Sequence, residues 1–200
     1  MNNVAETTQE QKKGRVKLLL LAAFFVLPVL AVLAMYLFSV RPNGGSHGEL
    51  LSPPLKLHFA ELKTWQDKLF SEAGLRDKWS LFYVTPIDCA ASCIERVRML
   101  RQIHASLGKE ISRVQRIVLV TSRGSTQWDA LQHDYPDLII LAPVAKITAE
   151  FLQQMGSNET SGSTYLIDPL GNVMMRYTST ADPVGMRKDL TRLLTYSWAG

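Results

Sequence analysis

Cysteine is nearly missing from these 200 residues: Cys89 and Cys93 are the only two. In an oxidising compartment so isolated a pair is either a structural staple or a working redox or metal pair. Histidine is scarce too, with four residues, none at a spacing typical of a zinc site. Internal repeats, a phosphate-binding loop, a paired-carboxylate site and a Ser-His-Asp arrangement are also lacking. Nor is there a real excess of one charge. The chain has 22 Lys+Arg against 18 Asp+Glu, and the first 40 residues hold four of the cations and two of the acids. The remainder keeps 18 against 16, a net charge of +2. That balance gives no nucleic-acid footprint.

Charge disappears altogether from Leu18 to Val40, a run of 23 positions. As a helix it would be roughly 34 Å long, enough to cross a bilayer. Pro28 is compatible, because spanning helices tolerate proline. The run is long for a signal-peptide core and no A-x-A site follows it, so a retained anchor is expected. Lys12, Lys13, Arg15 and Lys17 precede the run, whereas Arg41 is the only cation after it until Lys56. The positive-inside rule then puts the N-terminus in the cytoplasm. Glu6 and Glu10 argue against a mitochondrial transit peptide. The expected layout is a cytoplasmic tail at 1–17, a transmembrane helix at 18–40, a linker at 41–54 and a periplasmic domain at 55–200. The simplest setting is a bacterial inner membrane.

In the translocated part, Arg41 to Pro54 is rich in Gly, Ser, Pro and His and reads as linker. Leu55 to Ala73 fits either a helical stripe (Phe59, Leu62, Leu69, Phe70) or a strand start (Leu55 to Phe59). The pattern sharpens at Trp79-Ser80-Leu81-Phe82-Tyr83-Val84, a β-prone run. Ala90 to Leu107 reads as a helix stopped by Gly108. There follow a strand at 114–120, a helix at 125–133, a strand at 138–141 and a helix at 145–155. Strands at 163–167 and 173–177 flank Asp168-Pro169-Leu170-Gly171-Asn172, a hairpin turn. A helix at 186–194 closes the chain. The order βαβαβαββα predicts an α/β protein of thioredoxin-like fold, with a central mixed sheet flanked by helices.

The chemically loud feature is Cys89-Ala90-Ala91-Ser92-Cys93, where a strand hands over to a helix. Positions i and i+4 of a helix share a face with Cα atoms about 6 Å apart, inside disulfide range. The partial positive charge of a helix start favours a thiolate at Cys89, and Arg96 lies within two turns. Such a pair suits reversible dithiol chemistry, and it also suits Cu(I), which prefers thiolates. A plain structural staple is the alternative, although so short a loop restricts the unfolded chain little.

Lys78-Trp79-Ser80-Leu81-Phe82-Tyr83-Val84-Thr85, then Cys89-x-x-x-Cys93, then Tyr165-Leu166-Ile167-Asp168-Pro169-x-Gly171 resembles the Sco/SenC family over roughly residues 75 to 195. Those are membrane-anchored, thioredoxin-like assembly factors of cytochrome c oxidase. The resemblance implies that Cys89 and Cys93 bind copper or act as a thiol reductant. It also implies that an oxidase subunit or another assembly factor is the partner. In the family a histidine five residues before the Tyr of the last block completes the copper site. Thr160 stands there, and Ala90 and Ile94 replace the prolines common after each cysteine. The chain thus resembles a divergent member that keeps the dithiol without the third ligand.

His47 is expected to be solvated, His58 partly buried, His104 structural and His133 at a helix end. Arg96, Arg98, Arg101, Arg113 and Arg116 form a basic stretch read as a solvated face or a docking surface for an acidic partner. Three functions fit the sequence: a membrane-tethered thiol–disulfide protein for oxidase copper-site maturation, a Cu(I) carrier using the CxxxC thiolates, and a non-enzymatic assembly scaffold.

Overall fold

The computed structural model of the chain describes residues 3–37, 45–59, 61–86, 89–121, 127–143, 145–155 and 162–197. Contacts divide the chain into two units, Met1–Gly45 and Ser46–Gly200. The first contains helix α1 (Asn3–Leu37), with Pro28 inside it. Its stretch Gly14–Leu37 is 24 residues long and contains an 18-residue window of mean hydropathy 2.9, long and apolar enough to cross a membrane.

The second unit is built on a six-stranded mixed sheet. Its elements in chain order are β1 (Glu49–Lys56), β2 (Leu62–Lys63), β3 (Leu69–Phe70), a 3-10 turn at Glu72–Leu75, β4 (Trp79–Val84) and α2 (Ala91–Ala105). A second 3-10 segment (Gly108–Arg113), β5 (Val114–Leu119), α3 (Gln127–Asp134), β6 (Leu138–Leu141) and α4 (Ala145–Gln154) follow. The chain ends with β7 (Thr164–Ile167), β8 (Asn172–Tyr177) and α5 (Pro183–Tyr196). The strand order is β1-β8-β7-β4-β5-β6. β4, β5 and β6 run parallel, while β7, β8 and β1 are added antiparallel. From β4 onward this is the βαβαβαββα order predicted from the sequence.

Every side chain of β4 is buried. A strand covered on both faces carries a near-continuous apolar run, broken here only by Ser80, which is why Trp79 to Val84 is so legible. Trp79, Leu81 and Tyr83 pack with α2, α3 and α5, through residues such as Val97, Trp128 and Leu190. Phe82 and Val84 face the other layer, with Leu57, Leu62, Phe70, Leu75 and Met155. Each fully buried Leu or Phe contributes about 1.5–3 kcal/mol.

The hairpin at β7–β8 is made by Asp168. Its carboxylate accepts from the Leu170 N–H (2.9 Å), the Asn172 N–H (2.8 Å) and the Asn172 side-chain amide (2.9 Å). This is the local side-chain turn chemistry for which Asp is selected.

Two segments differ from the sequence reading. Glu49–Lys56, read as linker as far as Pro54, is an edge strand paired with β8. Its register breaks between Leu50 and Leu55, where Pro53 and Pro54 bring no N–H to the ladder. Prolines are tolerated at sheet edges and bulges, but they hide the strand from pattern reading. The stretch from Leu55 to Ala73, open between helix and strand, becomes the end of β1, the small β2–β3 hairpin and a 3-10 turn. Its buried residues Leu62, Phe70 and Leu75 close the second core layer.

The start of the second unit is fixed by one buried acid. Asp189 on α5 accepts from the backbone N–H of His47 (2.7 Å) and Gly48 (2.9 Å) and from the Tyr177 hydroxyl (3.1 Å). Burial, and then the charge and hydrogen bond of Asp189, push the Tyr177 phenol well above its ordinary range. The approach is too close for larger residues. A Cβ on Gly48 would lie 2.5 Å from the Tyr177 ring, and one on Gly185 would lie 2.6 Å from the His47 ring. Asp189→Ala leaves those buried donors unmet and is expected to lower unfolding free energy by about 2–4 kcal/mol. Urea denaturation checks this, with exposed Asp134→Ala as the control, expected to shift it by less than about 0.5 kcal/mol. Equal stability of the two variants would refute the role given to Asp189.

Candidate redox site

The site begins where β4 and β5 end side by side. The Thr85 N–H donates to the Leu119 carbonyl (3.0 Å). The buried Thr85 hydroxyl accepts from the Thr121 N–H (3.1 Å), and the Thr121 hydroxyl donates to the Thr85 carbonyl (3.0 Å). On the other side Val84 exchanges backbone hydrogen bonds with Gly162 (2.9 Å) and Ser163 (3.0 Å), just before β7. The chain therefore leaves the sheet from a tightly held point, and Cys89 follows five residues after Val84.

Cys89 precedes the helix, Ala90 is the N-cap residue of α2, and Cys93 lies in its first turn. A disulfide joins the two cysteines, with Cα atoms 5.3 Å apart. The Cys93 and Ile94 N–H groups donate to the Ala90 carbonyl at 3.0 and 3.4 Å. Ala90 makes no side-chain cap. A Ser, Thr, Asp or Asn there would place an oxygen on the first-turn donors. With alanine, no side-chain oxygen occupies this helix end. Cys93 is 2% exposed and packs in the core with Val97, while Cys89 is half-buried. One sulfur thus belongs to the interior and the other to the rim. A groove of about 360 Å³ lies between the first turns of α2 and the length of α3, lined by Ala91, Ile94, Arg98, Gln127, Leu131 and Asp134 among others.

Arg96 does not serve the cysteines in the way its spacing suggested. Its guanidinium donates to the carbonyls of Ala181 (3.3 Å), Thr178 (3.0 Å) and Ser179, in the loop from β8 to α5. Burial lowers the Arg96 pKa, and the Tyr83 phenol opposes that shift. Burial pushes Tyr83 up to about 12, with Arg96 pulling the other way.

The basic stretch is also mostly engaged in the fold. Arg113 pairs with Glu110 (2.8 Å) and donates to the carbonyls of Leu194 (2.9 Å) and Ser197 (3.1 Å), capping α5. Arg116, 2% exposed, pairs with Asp137 at 2.7 Å. Burial acts to raise Asp137, but the Arg116 hydrogen bond and charge, its own backbone and His104 together hold its carboxyl below the ordinary value. Arg101 lies over the Tyr135 ring at 5.1 Å. Only Arg98 and Arg101 of the five are exposed.

His104 is structural, as expected: its Nε2 lies 3.0 Å from the Ile111 carbonyl and 2.9 Å from that of Val114. His58 is mostly exposed, its ring 3.5 Å from Glu72. His133 stands in solvent beside Asp134. Among the described residues no group of three or more His, Cys, Asp or Glu is placed to hold a metal. Thr160, at the family-histidine position, lies outside the described residues. The Asp189 anchor and the Thr85–Thr121 tie were missed by sequence reasoning; the signal available for the first was an acid on the apolar stripe of the terminal helix, beside Met186 and Leu190.

A parallel β4-β5-β6 core extended by an antiparallel hairpin, with a cysteine pair at the helix following its central strand, defines a thioredoxin-like protein. The family model described as transmembrane-like, thioredoxin-like, C-terminal domain matches residues 79–197, more than half of the chain, and the chain belongs to that family. Comparison with curated proteins gives no match. Solved structures of similar fold include copper-bound yeast Sco1, 18% identical with a TM-score of 0.62, covering 72% of this chain and 95% of that one. Apo Sco1 of Thermus thermophilus is 19% identical with a TM-score of 0.60, covering 74% and 96%. BsSco, a Sco-family cytochrome c oxidase assembly protein in which a disulfide switch was identified, is 14% identical with a TM-score of 0.58, covering 72% and 96%. The thioredoxin-like plan and the resemblance to Sco/SenC proteins expected from the sequence are thus matched in the fold.

After reduction, Cys89 is expected to react with an alkylating reagent near neutral pH at least about tenfold faster than Cys93, being both nearer the helix end and less buried. Mass spectrometry of the partly labelled chain measures the order. Loss of the bridge should lower stability by no more than about 2 kcal/mol, given so short a loop. Equal labelling rates with a large fall in melting temperature would mark the pair as a staple.

Proposed function

We propose that the chain is a membrane-tethered thiol–disulfide protein that assists copper-site maturation of cytochrome c oxidase. The observation that carries this reading is the Cys89–Cys93 bridge at the uncapped start of α2, directly after the central strand of a thioredoxin-like sheet. The likeness to Sco1 and to BsSco supports the pathway. The proposed topology has the N-terminus in the cytoplasm, α1 in a bacterial inner membrane and the thioredoxin-like domain in the periplasm.

In the reduced protein, the Cys89 thiolate attacks a disulfide sulfur of the partner and expels the partner's other sulfur as a thiolate. The resulting mixed disulfide is then attacked by the Cys93 thiolate at the Cys89 sulfur, which releases the partner's second thiolate. The Cys89–Cys93 bond forms, two electrons pass to the partner, and its two thiolates take up the protons the dithiol gave up. A second dithiol protein resets the pair. A freshly reduced cysteine pair on an oxidase subunit would then be ready to accept copper.

Carriage of Cu(I) itself is the second reading. The reduced pair offers two soft thiolates, and copper is bound in the yeast Sco1 structure. Copper is then cargo, and Thr160 supplies no soft third ligand.

Cys93→Ser should trap the partner as a mixed disulfide in membranes, with an oxidase subunit or an assembly factor as the captured chain, while Cys89→Ser should abolish exchange. Non-reducing electrophoresis with mass spectrometry reads both. A Cys93→Ser chain that captures nothing, combined with wild-type Cu(I) binding that Thr160→His tightens at least about tenfold, would favour the carrier reading.

A further inference from the structure

Helix α5 turns two different faces outward and inward. Met186, Asp189, Leu190 and Leu194 are buried. Arg187, Lys188 and Arg192 are exposed and share the opposite stripe, at helical spacing. Val184, 51% exposed, stands at one end of that stripe and Tyr196, 82% exposed, at the other. No acid offsets the three cations within the helix. Asp189 points into the core, and Asp182 is occupied as the N-cap, accepting from the Val184 and Gly185 N–H groups. None of the three cations makes an ion pair or side-chain hydrogen bond among the described residues.

The arm that enters this unit docks on the same helix. His47 and Gly48 donate to Asp189, and the His47 ring packs on Gly185. Residues 38–46 alone separate that point from the end of α1. A fully extended chain of that length reaches about 30 Å. A helix bearing unpaired cations, with an aromatic residue at its end, is therefore held within a short tether of any bilayer that α1 spans. Lys and Arg near an anionic surface each strengthen association about fivefold, and Tyr rings favour the headgroup region.

We propose that the Arg187–Lys188–Arg192 face of α5 is a docking surface for anionic lipid headgroups of the membrane that holds the anchor. The inference rests on α1 spanning that membrane. Docking there sets which side of the domain faces the lipid and leaves α2, with the cysteine pair, to meet a partner.

The test uses the full chain in lipid nanodiscs, made either of phosphatidylcholine alone or with added phosphatidylglycerol. Acetylation rates of Lys188 and Lys63 are followed by mass spectrometry. Lys63 lies next to Leu62 of the other core layer, on the far side of the sheet from α5, and serves as the internal control. Lys188 is expected to be protected at least about fivefold in anionic discs, with protection lost in high salt and in the double variant Arg187→Gln, Arg192→Gln, while Lys63 is unaffected. Equal reactivity of Lys188 in both kinds of disc overturns the proposal and leaves the anchor standing. Equal protection in both also overturns it, because the face would then be covered by protein, such as a second copy of the chain. A chain that fails to enter discs at all overturns the anchor and the proposal together.

Discussion

Strand β4 lies between a parallel neighbour, β5, and an antiparallel one, β7, with all of its side chains buried. A one-residue shift of such a strand would exchange the side chains offered to its two packed faces and carry the exposed Lys78 into the core. The end of β4 is held by both neighbouring strands. The Thr85–Thr121 hydrogen bonds and the Val84 bonds to Gly162 and Ser163 hold that end on both sides. The cysteine pair inherits this position. Cys93 is drawn into the core by the face of α2 that covers β4, and Cys89 is left at the rim.

In the proposed exchange, the division between the two sulfurs gives the pair its chemical direction. A thiol at the rim can meet another protein's sulfur, while a buried one a turn away can only attack its neighbour. The absence of a polar residue at Ala90 matters in the same sense, because the first turn of α2 has no side-chain oxygen competing for its N–H groups. Arg96, which also lies near, spends its charge on the carbonyls of the β8–α5 loop.

Much of this was legible from sequence because the signals are local. Trp79 to Val84 is a β-prone run apolar except at Ser80, Asp168 to Asn172 writes its own turn, and the cysteines sit at a visible strand–helix junction. What stayed hidden is non-local or disguised. Pro53 and Pro54 made an edge strand look like linker. The bond from Asp189 to His47 spans 142 positions, so no window of sequence contains both partners. The arginines of 96–116 looked like one basic surface, yet Arg96, Arg113 and Arg116 each turn to a different acceptor that the tertiary fold supplies. The position of Thr160 bears on copper through the sequence alone.

The central claim is that the Cys89–Cys93 bond is made to be opened. Its most direct measurement is the equilibrium reduction potential of the full-length protein against a glutathione or dithiothreitol series. A working pair is expected to lie above about −300 mV, in the range where partner thiols can exchange with it. A potential well below that, as for disulfides that only hold a fold together, would contradict the account.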